Sequence, residues 1–553
     1  YLGNVYVTGY FSDTSLKIYD ASAHKYGVAS DISLSRVSDG SQNTFIVKYD
    51  TSGNYCWATQ MGGNSNDAGN GISTDSLGNV YVTGYFYDTS LNIYDASAHK
   101  YIDGGASDLS LSKVTGGIQD TFIVKYDTNG VYKWATQMGG TSWDIGTSIS
   151  TDSLGNVYVT GYFNDTSLNI YDASAHKYNG GDSDLSLSNI GGTGQDVFIV
   201  KYDTNGNYKW ATQMGGTSYD VGNDISTDSF GNVYITGIFS DASLNIYDAS
   251  AHKYAGGDSD LSLSIVGGIG SDVFIVKYDT SGNYCWATQM GGIANDNGTD
   301  ISTDSLGNVY VTGSFEDTCL NIYDASAHKY AGVATSDLSL SNIGGTGFDT
   351  YIVKYDTSGN YCWATQMGGT ATDAGTGIST DRLGNVYVTG GFSNAILNIC
   401  DALQTFVTPV NNVPVIISNI CFPAGTPVHV DQGVIAIDKI NPLIHTIRGK
   451  QIMGVSKTVS TDKYLVCIEK GALMNNSPNK QTIISRNHKI LYKNECICAK
   501  DLVGKFGNNV RLIEYNGEPL YNIIMEDYVL VIINNLMAET LHPSNSVVKQ
   551  FIQ

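Results

Sequence analysis

The sequence predicts an all-β protein made of a repeat array followed by a second, chemically different β domain. Three observations carry this. The segment Gly-Asn-Val-Tyr-Val/Ile-Thr-Gly begins at Gly3, Gly78, Gly155, Gly231, Gly307 and Gly384, at steps of 75 to 77 residues. The composition then changes near residue 408: all 8 Pro lie at or after Pro409, while 55 of the 63 Gly lie before it. The charge changes with it. Residues 1–408 hold 16 Lys+Arg against 42 Asp+Glu, a balance of −26, and residues 409–553 hold 14 against 11, a balance of +3. At 553 residues the chain can bury several cores. The expected division is a repeat domain over 1–408, a linker over 409–420 containing Pro409 and Pro414, and a C-terminal domain over 421–553.

Each repeat reads as four short strands. Val80–Phe86 is β-branched and aromatic and alternates. Phe122–Tyr126 is a second strand, and Asp127-Thr-Asn-Gly130 is a turn whose glycine supplies the left-handed position closing a hairpin onto Tyr132–Met138. Ser148–Thr151 is the fourth. Four antiparallel strands repeated at a fixed period form the blade pattern of a β-propeller of at least five blades. A blade needs only ~40–50 residues. The surplus lies between Phe86 and Phe122, where residues 90–101 and 107–112 alternate and predict an extra hairpin standing off each blade. The first strand type occurs six times and the others five. Either Gly375–Thr380 completes the sheet begun at Val5 and closes five blades, or upstream blades are missing and the ring is larger. The start at Tyr1, inside a strand pattern and without a leader, reads as a fragment or a processed product.

The repeat residues predict binding or structure rather than turnover. Trp57, Trp134, Trp210, Trp286 and Trp363 recur as core anchors in the blades. Asp67, Asp144, Asp220, Asp296 and Asp373 recur after Gly-Gly. One carboxylate per loop is too few oxygens for calcium, so they read as loop hydrogen-bond acceptors, with no metal and no cofactor expected. His24, His99, His176, His252 and His328 recur in Ala-His-Lys-Tyr and predict a rim that projects on one side and presents His99, Lys100 and Tyr101 outward. An unidentified protein or glycan is the expected rim partner, bound weakly per site and strengthened by multivalency. The acidic array argues against nucleic acid, and no apolar run reaches the ~18–20 residues of a membrane span. The nine Cys follow no disulfide framework: Cys56, Cys285 and Cys362 alternate with Lys133 and Lys209 at one repeat position, which predicts reduced thiols and intracellular synthesis.

The string Trp-Ala-Thr-Gln-Met-Gly-Gly, followed by Ile-Ser-Thr-Asp-x2-Gly-Asn-Val-Tyr-Val-Thr-Gly, resembles the SBBP type of β-propeller repeat over nearly all of 1–400. That resemblance implies a propeller and no activity.

The C-terminal domain carries sharper chemistry. A cysteine directly after a linker, here Cys421, can attack the carbonyl before it, turning the Ile420–Cys421 peptide into a thioester. Cys421-Phe-Pro-Ala-Gly-Thr-Pro-Val428, Thr482–Leu491 and Leu520–Glu526 together resemble, in order and spacing, the Hint domain of hedgehog proteins and inteins, the viral type in particular. The resemblance implies that Ser485 orients or polarises the scissile amide and that His488 protonates its departing nitrogen. His542 either assists or caps the last strand. The departures argue against splicing: Glu539 and Thr540 stand where inteins end in His-Asn, Val529 replaces the late-segment His, and Asn522 replaces the usual Asp. The expected function is single-turnover cysteine autoproteolysis that releases a β-propeller binding or assembly module, with no conventional enzyme. The alternative is a structural or ligand-binding propeller with an inert Hint remnant. The Asn/Ile/Lys-rich stretch 441–553 resembles proteins of large DNA viruses, which implies virion association.

Overall fold

The computed structural model describes the chain apart from residues 1–2, 22–29, 31, 38–40, 97–105, 115, 165, 174–181, 193, 241, 250–257, 269, 317, 326–335, 345–346, 382–383, 394–396, 401–405, 408–421, 443, 459–462, 474–476, 487, 494, 517, 526–529 and 540–553. The chain separates into two compact units at Pro409–Val410, with the turn segment Asp381–Asn385 grouped with the second.

The first unit is all-β with a repeated, propeller-like strand pattern. One sheet shows the plan. Its innermost strand Asp144–Thr151 pairs antiparallel with Val157–Phe163, which pairs with Asp196–Tyr202, which pairs with Tyr208–Gly215. A bulge between Gly146 and Ser148 bends the inner strand. Glycine is required at Gly206, in the turn joining the third and fourth strands: its φ is 80°, and a Cβ there would lie 2.9 Å from Trp134 of the preceding repeat.

The inserted hairpin does not stand off its blade. Ser243–Ile246 and Leu261–Ser264, from the next repeat, pair with each other and then extend this sheet as its fifth and sixth strands. The seam is short, Met214↔Ile246 and Gly215↔Asn245. Pairing covers an otherwise open fourth-strand edge, and it buries Leu244, Ile246 and Leu263 completely.

Core residues are shared between neighbours. Tyr81, Ile123, Trp134 and Met138 of one repeat pack with Val157, Val159, Phe198, Val200 and Ala211 of the next. The tryptophans are therefore staples between repeats rather than anchors within one blade. Trp134 Nε1 donates to the Thr204 carbonyl of the following hairpin turn at 3.0 Å, and Lys125 Nζ donates to the same oxygen at 2.7 Å. Trp57, Trp210 and Trp286 do the same to Thr128, Thr280 and Thr357. The inner strands are also tied side by side: Ser73 and Thr151 hydroxyls meet at 3.0 Å, as do Ser150 and Thr227.

Among the described residues no sheet joins the first and last repeats. Asp373–Thr380 pairs with Val386–Phe392 and not with Val5–Phe11, so closure of five blades by that route does not occur.

Among the described residues the second unit holds three small antiparallel sheets. One orders Phe422–Pro423, Leu520–Met525, Lys450–Thr458 and Thr446–Ile447. Another contains Pro427–Val430 and the hairpin Leu530–Ile533/Leu536–Glu539. The hairpin turn is Asn534-Asn535, both at positive φ (49° and 63°), as a two-residue turn with the strands' own twist requires. Val428, Val466, Ile484, Ile490, Ile523 and Ile533 are completely buried in one core.

Candidate functional site

Of the residues that the sequence marks for chemistry, Ser485 and His488 lie in the described part of the second unit. Thr482–Ile484 ends at Ser485, and Lys489–Tyr492 begins just after His488. The chain turns between them, with the His488 N–H donating to the Ser485 carbonyl at 3.2 Å. Both side chains are completely buried. The far side of the turn is fixed by the Ala499 N–H on the His488 carbonyl and the Lys500 N–H on that of Arg486, each at 2.9 Å.

The His488 ring lies against Phe422, with centroids 4.3 Å apart and planes at 55°. Phe422 is held by pairing with Tyr521, on the strand that also carries buried Asn522. Asn522 Oδ1 accepts the Ile523 N–H. The Phe422–His488 stack has no signature in the sequence, because Phe422 lies 66 positions before His488 and nothing in the sequence pairs the two. Cys421, Ile420 and His542 lie outside the described residues, as do Val529 and Thr540. Glu539 is the last residue of the final hairpin, opposite Leu530. Asn534 Nδ2 donates to Thr482 Oγ1 at 3.0 Å and ties that hairpin to the strand preceding Ser485.

In the array, His24, His99, His176, His252 and His328, with Lys100 and Tyr101, also lie outside the described residues. The recurring aspartates are buried and accept loop N–H groups: Asp67 Oδ2 from Gly63 at 2.7 Å, Asp144 Oδ2 from Gly140 at 2.8 Å. Among the described residues no three His, Cys, Asp or Glu side chains form a metal-binding group, and no helix is long and apolar enough to cross a membrane.

Comparison with known proteins agrees with the array. Residues 57–85, 133–169, 209–237, 286–314 and 363–390 match the SBBP β-propeller repeat. The first unit carries β-propeller repeats. The chain is 28% identical over 396 residues to an uncharacterized WD repeat-containing protein of Acanthamoeba polyphaga mimivirus, covering 64% of this chain and 27% of that protein. It is 26% identical over 180 residues to the regulatory protein FlaEY of Caulobacter vibrioides, covering 32% of this chain and 16% of that protein. The chain thus spans about a quarter or less of the length of either relative. The matched family segments end at residue 390.

Proposed function

We propose that the C-terminal unit is an autoprocessing domain of Hint type that cleaves the chain at Ile420–Cys421 and releases the propeller-repeat module. The observation that carries this is the stack of Phe422 on buried His488. It brings the residue that follows Cys421 against the imidazole expected to serve the Cys421 nitrogen.

The Cys421 Sγ adds to the Ile420 carbonyl carbon as its proton passes to the His488 imidazole, which holds it for the departing nitrogen. The C–N bond breaks, the nitrogen leaves as the Cys421 amine after taking a proton from His488, and a thioester joins Ile420 to Cys421. Water or another nucleophile then takes the acyl group. His488 acts as general acid. Burial suits the task, since a proton donor held out of water does not exchange its hydrogen bond for solvent. Ser485, at the same turn, is placed to orient or polarise the amide.

The reaction needs no cofactor and turns over once. A virion-associated propeller module fits the mimivirus relative. The test is intact-mass analysis of purified chain with and without dithiothreitol or hydroxylamine. Thiol-dependent fragments of 420 and 133 residues are expected. A chain that stays whole for days in either reagent carries an inert domain, and the function is then that of the array alone.

A further inference from the structure

The repeats are nearly identical, and the departures of one of them gather at one point. In each repeat the second residue of the inner strand faces a residue near the end of the second strand. The pairs are Ala68↔Tyr85, Ile145↔Tyr162 and Val221↔Ile238, then Asn297↔Ser314, then Ala374↔Gly391. Asn297 and Ser314 are thus small and polar where the preceding repeats carry tyrosine or isoleucine on the second strand. The residue before the third strand changes with them: Gln42, Gln119, Gln195 and Ser271 give way to Phe348. So does the third residue of that strand, where Phe45, Phe122, Phe198 and Phe274 give way to Tyr351.

A cavity of about 350 Å³ lies at this point, lined by Asn297, Ser314 and Phe348 together with Ile238 of the preceding sheet. Its volume is in the range of small-molecule sites. Ser271 and Thr372 bring hydroxyls to it, and Asn295 a second amide. Tyr351 fixes the polar side: it is completely buried, and its hydroxyl donates to the Asn297 carbonyl at 3.0 Å, a bond that phenylalanine cannot make. Asn223 Nδ2 donates to Asn297 Oδ1 at 3.0 Å, which leaves Asn297 Nδ2 as the donor to offer a ligand. Asn295 is the reverse. Its Nδ2 donates to Glu316 Oε2 at 3.4 Å, and its Oδ1 remains as the acceptor.

We propose that this cavity binds one uncharged sugar unit, with Phe348 and Ile238 against the ring and the Asn297 and Asn295 amides on its hydroxyls. Amides and hydroxyls both donate and accept, and a sugar hydroxyl needs partners of both kinds. The C–H face of a sugar ring is weakly positive and lies on the negative face of an aromatic ring. Among the described residues that line the cavity there is no Lys, Arg or His, and residues 1–408 carry a balance of −26. A phosphate, sulfate or carboxylate ligand therefore meets no counter-charge here.

A cationic ligand is the competing occupant, because Asp296 also lines the cavity. That aspartate recurs in every repeat and is completely buried in each, and its counterparts Asp67 and Asp144 spend an oxygen on a loop N–H. A residue common to all repeats does not supply what one repeat does differently. The four departures, Asn297, Ser314, Phe348 and Tyr351, are all uncharged, and they add hydrogen-bonding groups and an aromatic ring rather than charge. The site is also single, unlike the multivalent rim that like repeats imply: no other repeat combines these four residues.

The experiment is saturation-transfer NMR on the 553-residue chain with glucose, galactose, mannose and N-acetylglucosamine at millimolar concentration, beside N-acetylneuraminic acid, choline and a neutral tripeptide. Saturation of the ring C–H protons of at least one neutral sugar is expected, titrating to one site per chain. Asn297→Ile with Ser314→Tyr installs the pair that Ile145 and Tyr162 already form. This double variant should melt as the wild type does and lose the signal. Phe348→Gln, at a half-buried position that is glutamine in three repeats, should weaken binding by about tenfold. If the double variant melts lower, Phe348→Gln decides alone, and unchanged affinity overturns the proposal. Silence from all four neutral sugars, a stronger signal from the anion, choline or the tripeptide, or an undiminished signal from a folded double variant overturns it as well.

Discussion

The two units use sequence in opposite ways. In the array every structural device recurs: a tryptophan staple, a lysine on the same carbonyl, a glycine pair and a borrowed hairpin. In the C-terminal unit each device occurs once: one Phe422–His488 stack, one Asn534–Thr482 bond, one Asn-Asn turn. Repetition spreads stability over like neighbours, so single losses stay local. Chemistry needs unlike groups at one point, and there a single loss is total. Neighbour dependence is also visible inside the array. Trp57, Trp134, Trp210 and Trp286 are each 8% exposed, each under the hairpin turn of the next repeat. Trp363, followed by no further hairpin of this kind, is only half-buried.

The largest expected effect tests the singular side. Cys421→Ala should leave no thiol-dependent fragment by mass spectrometry, because only the backbone-linked thiol reaches its own preceding carbonyl. His488→Ala should slow cleavage by ~10²–10⁴, and Ser485→Ala by less. Equal effects of the two would assign the acid role wrongly.

Next comes the repeated side. Trp210→Ala should cost about 3–5 kcal/mol, by cavity formation and loss of the bond to Thr280. Trp363→Ala should cost about half of that or less, since less of its ring leaves water on folding. Urea unfolding followed by hydrogen exchange in each repeat separates them, and equal costs would break the neighbour-burial account.

The smallest effect sharpens how neighbours tolerate charge. Asp224 and Asp300, on adjacent inner strands, both accept the Ile301 N–H, at 2.9 and 3.0 Å. Burial first, and Asp300 beside it second, hold the Asp224 carboxyl well above the usual carboxylate range. The folded state therefore binds the proton more tightly than the unfolded state. This contribution is fully present below the ordinary aspartate range and is lost as pH rises toward the folded value. Asp224→Asn, whose amide can face Asp300 while its oxygen keeps the Ser148 hydroxyl, should be more stable than wild type at neutral pH by on the order of 1 kcal/mol. The advantage should vanish near pH 4 in paired denaturation curves.

Much of the array was legible in the sequence, because period, alternation and turn glycines are local. Val80–Phe86 and the turn at Asp127–Gly130 appear where the pattern puts them. The hairpin's destination was not legible: two residue pairs, such as Met138↔Ile170 and Gly139↔Asn169, fix it, and neither partner's sequence names the other. The tryptophan's role was missed for the same reason, its acceptor lying 70 positions away. Of the candidate site, the sequence marked Ser485 and His488 only through the family resemblance, and the structure puts the two at one buried turn; Phe422 carried no mark, since an aromatic ring after a cysteine carries no message about what it will stack on.

The borrowed hairpin also sets a timetable for synthesis. The sheet whose fourth strand ends at Gly215 gains its outer edge only when Ser243–Ile246 and Leu261–Ser264 have left the ribosome. Each blade is therefore finished by its successor, and folding trails translation by most of a repeat. During that interval the Tyr208–Gly215 edge is open, and unpaired edges of near-identical sequence are apt to pair out of turn. Slowing elongation within an insert should lengthen the exposure of the preceding blade and raise misassembly of nascent chains, while slowing it just after Ser264 should lower it.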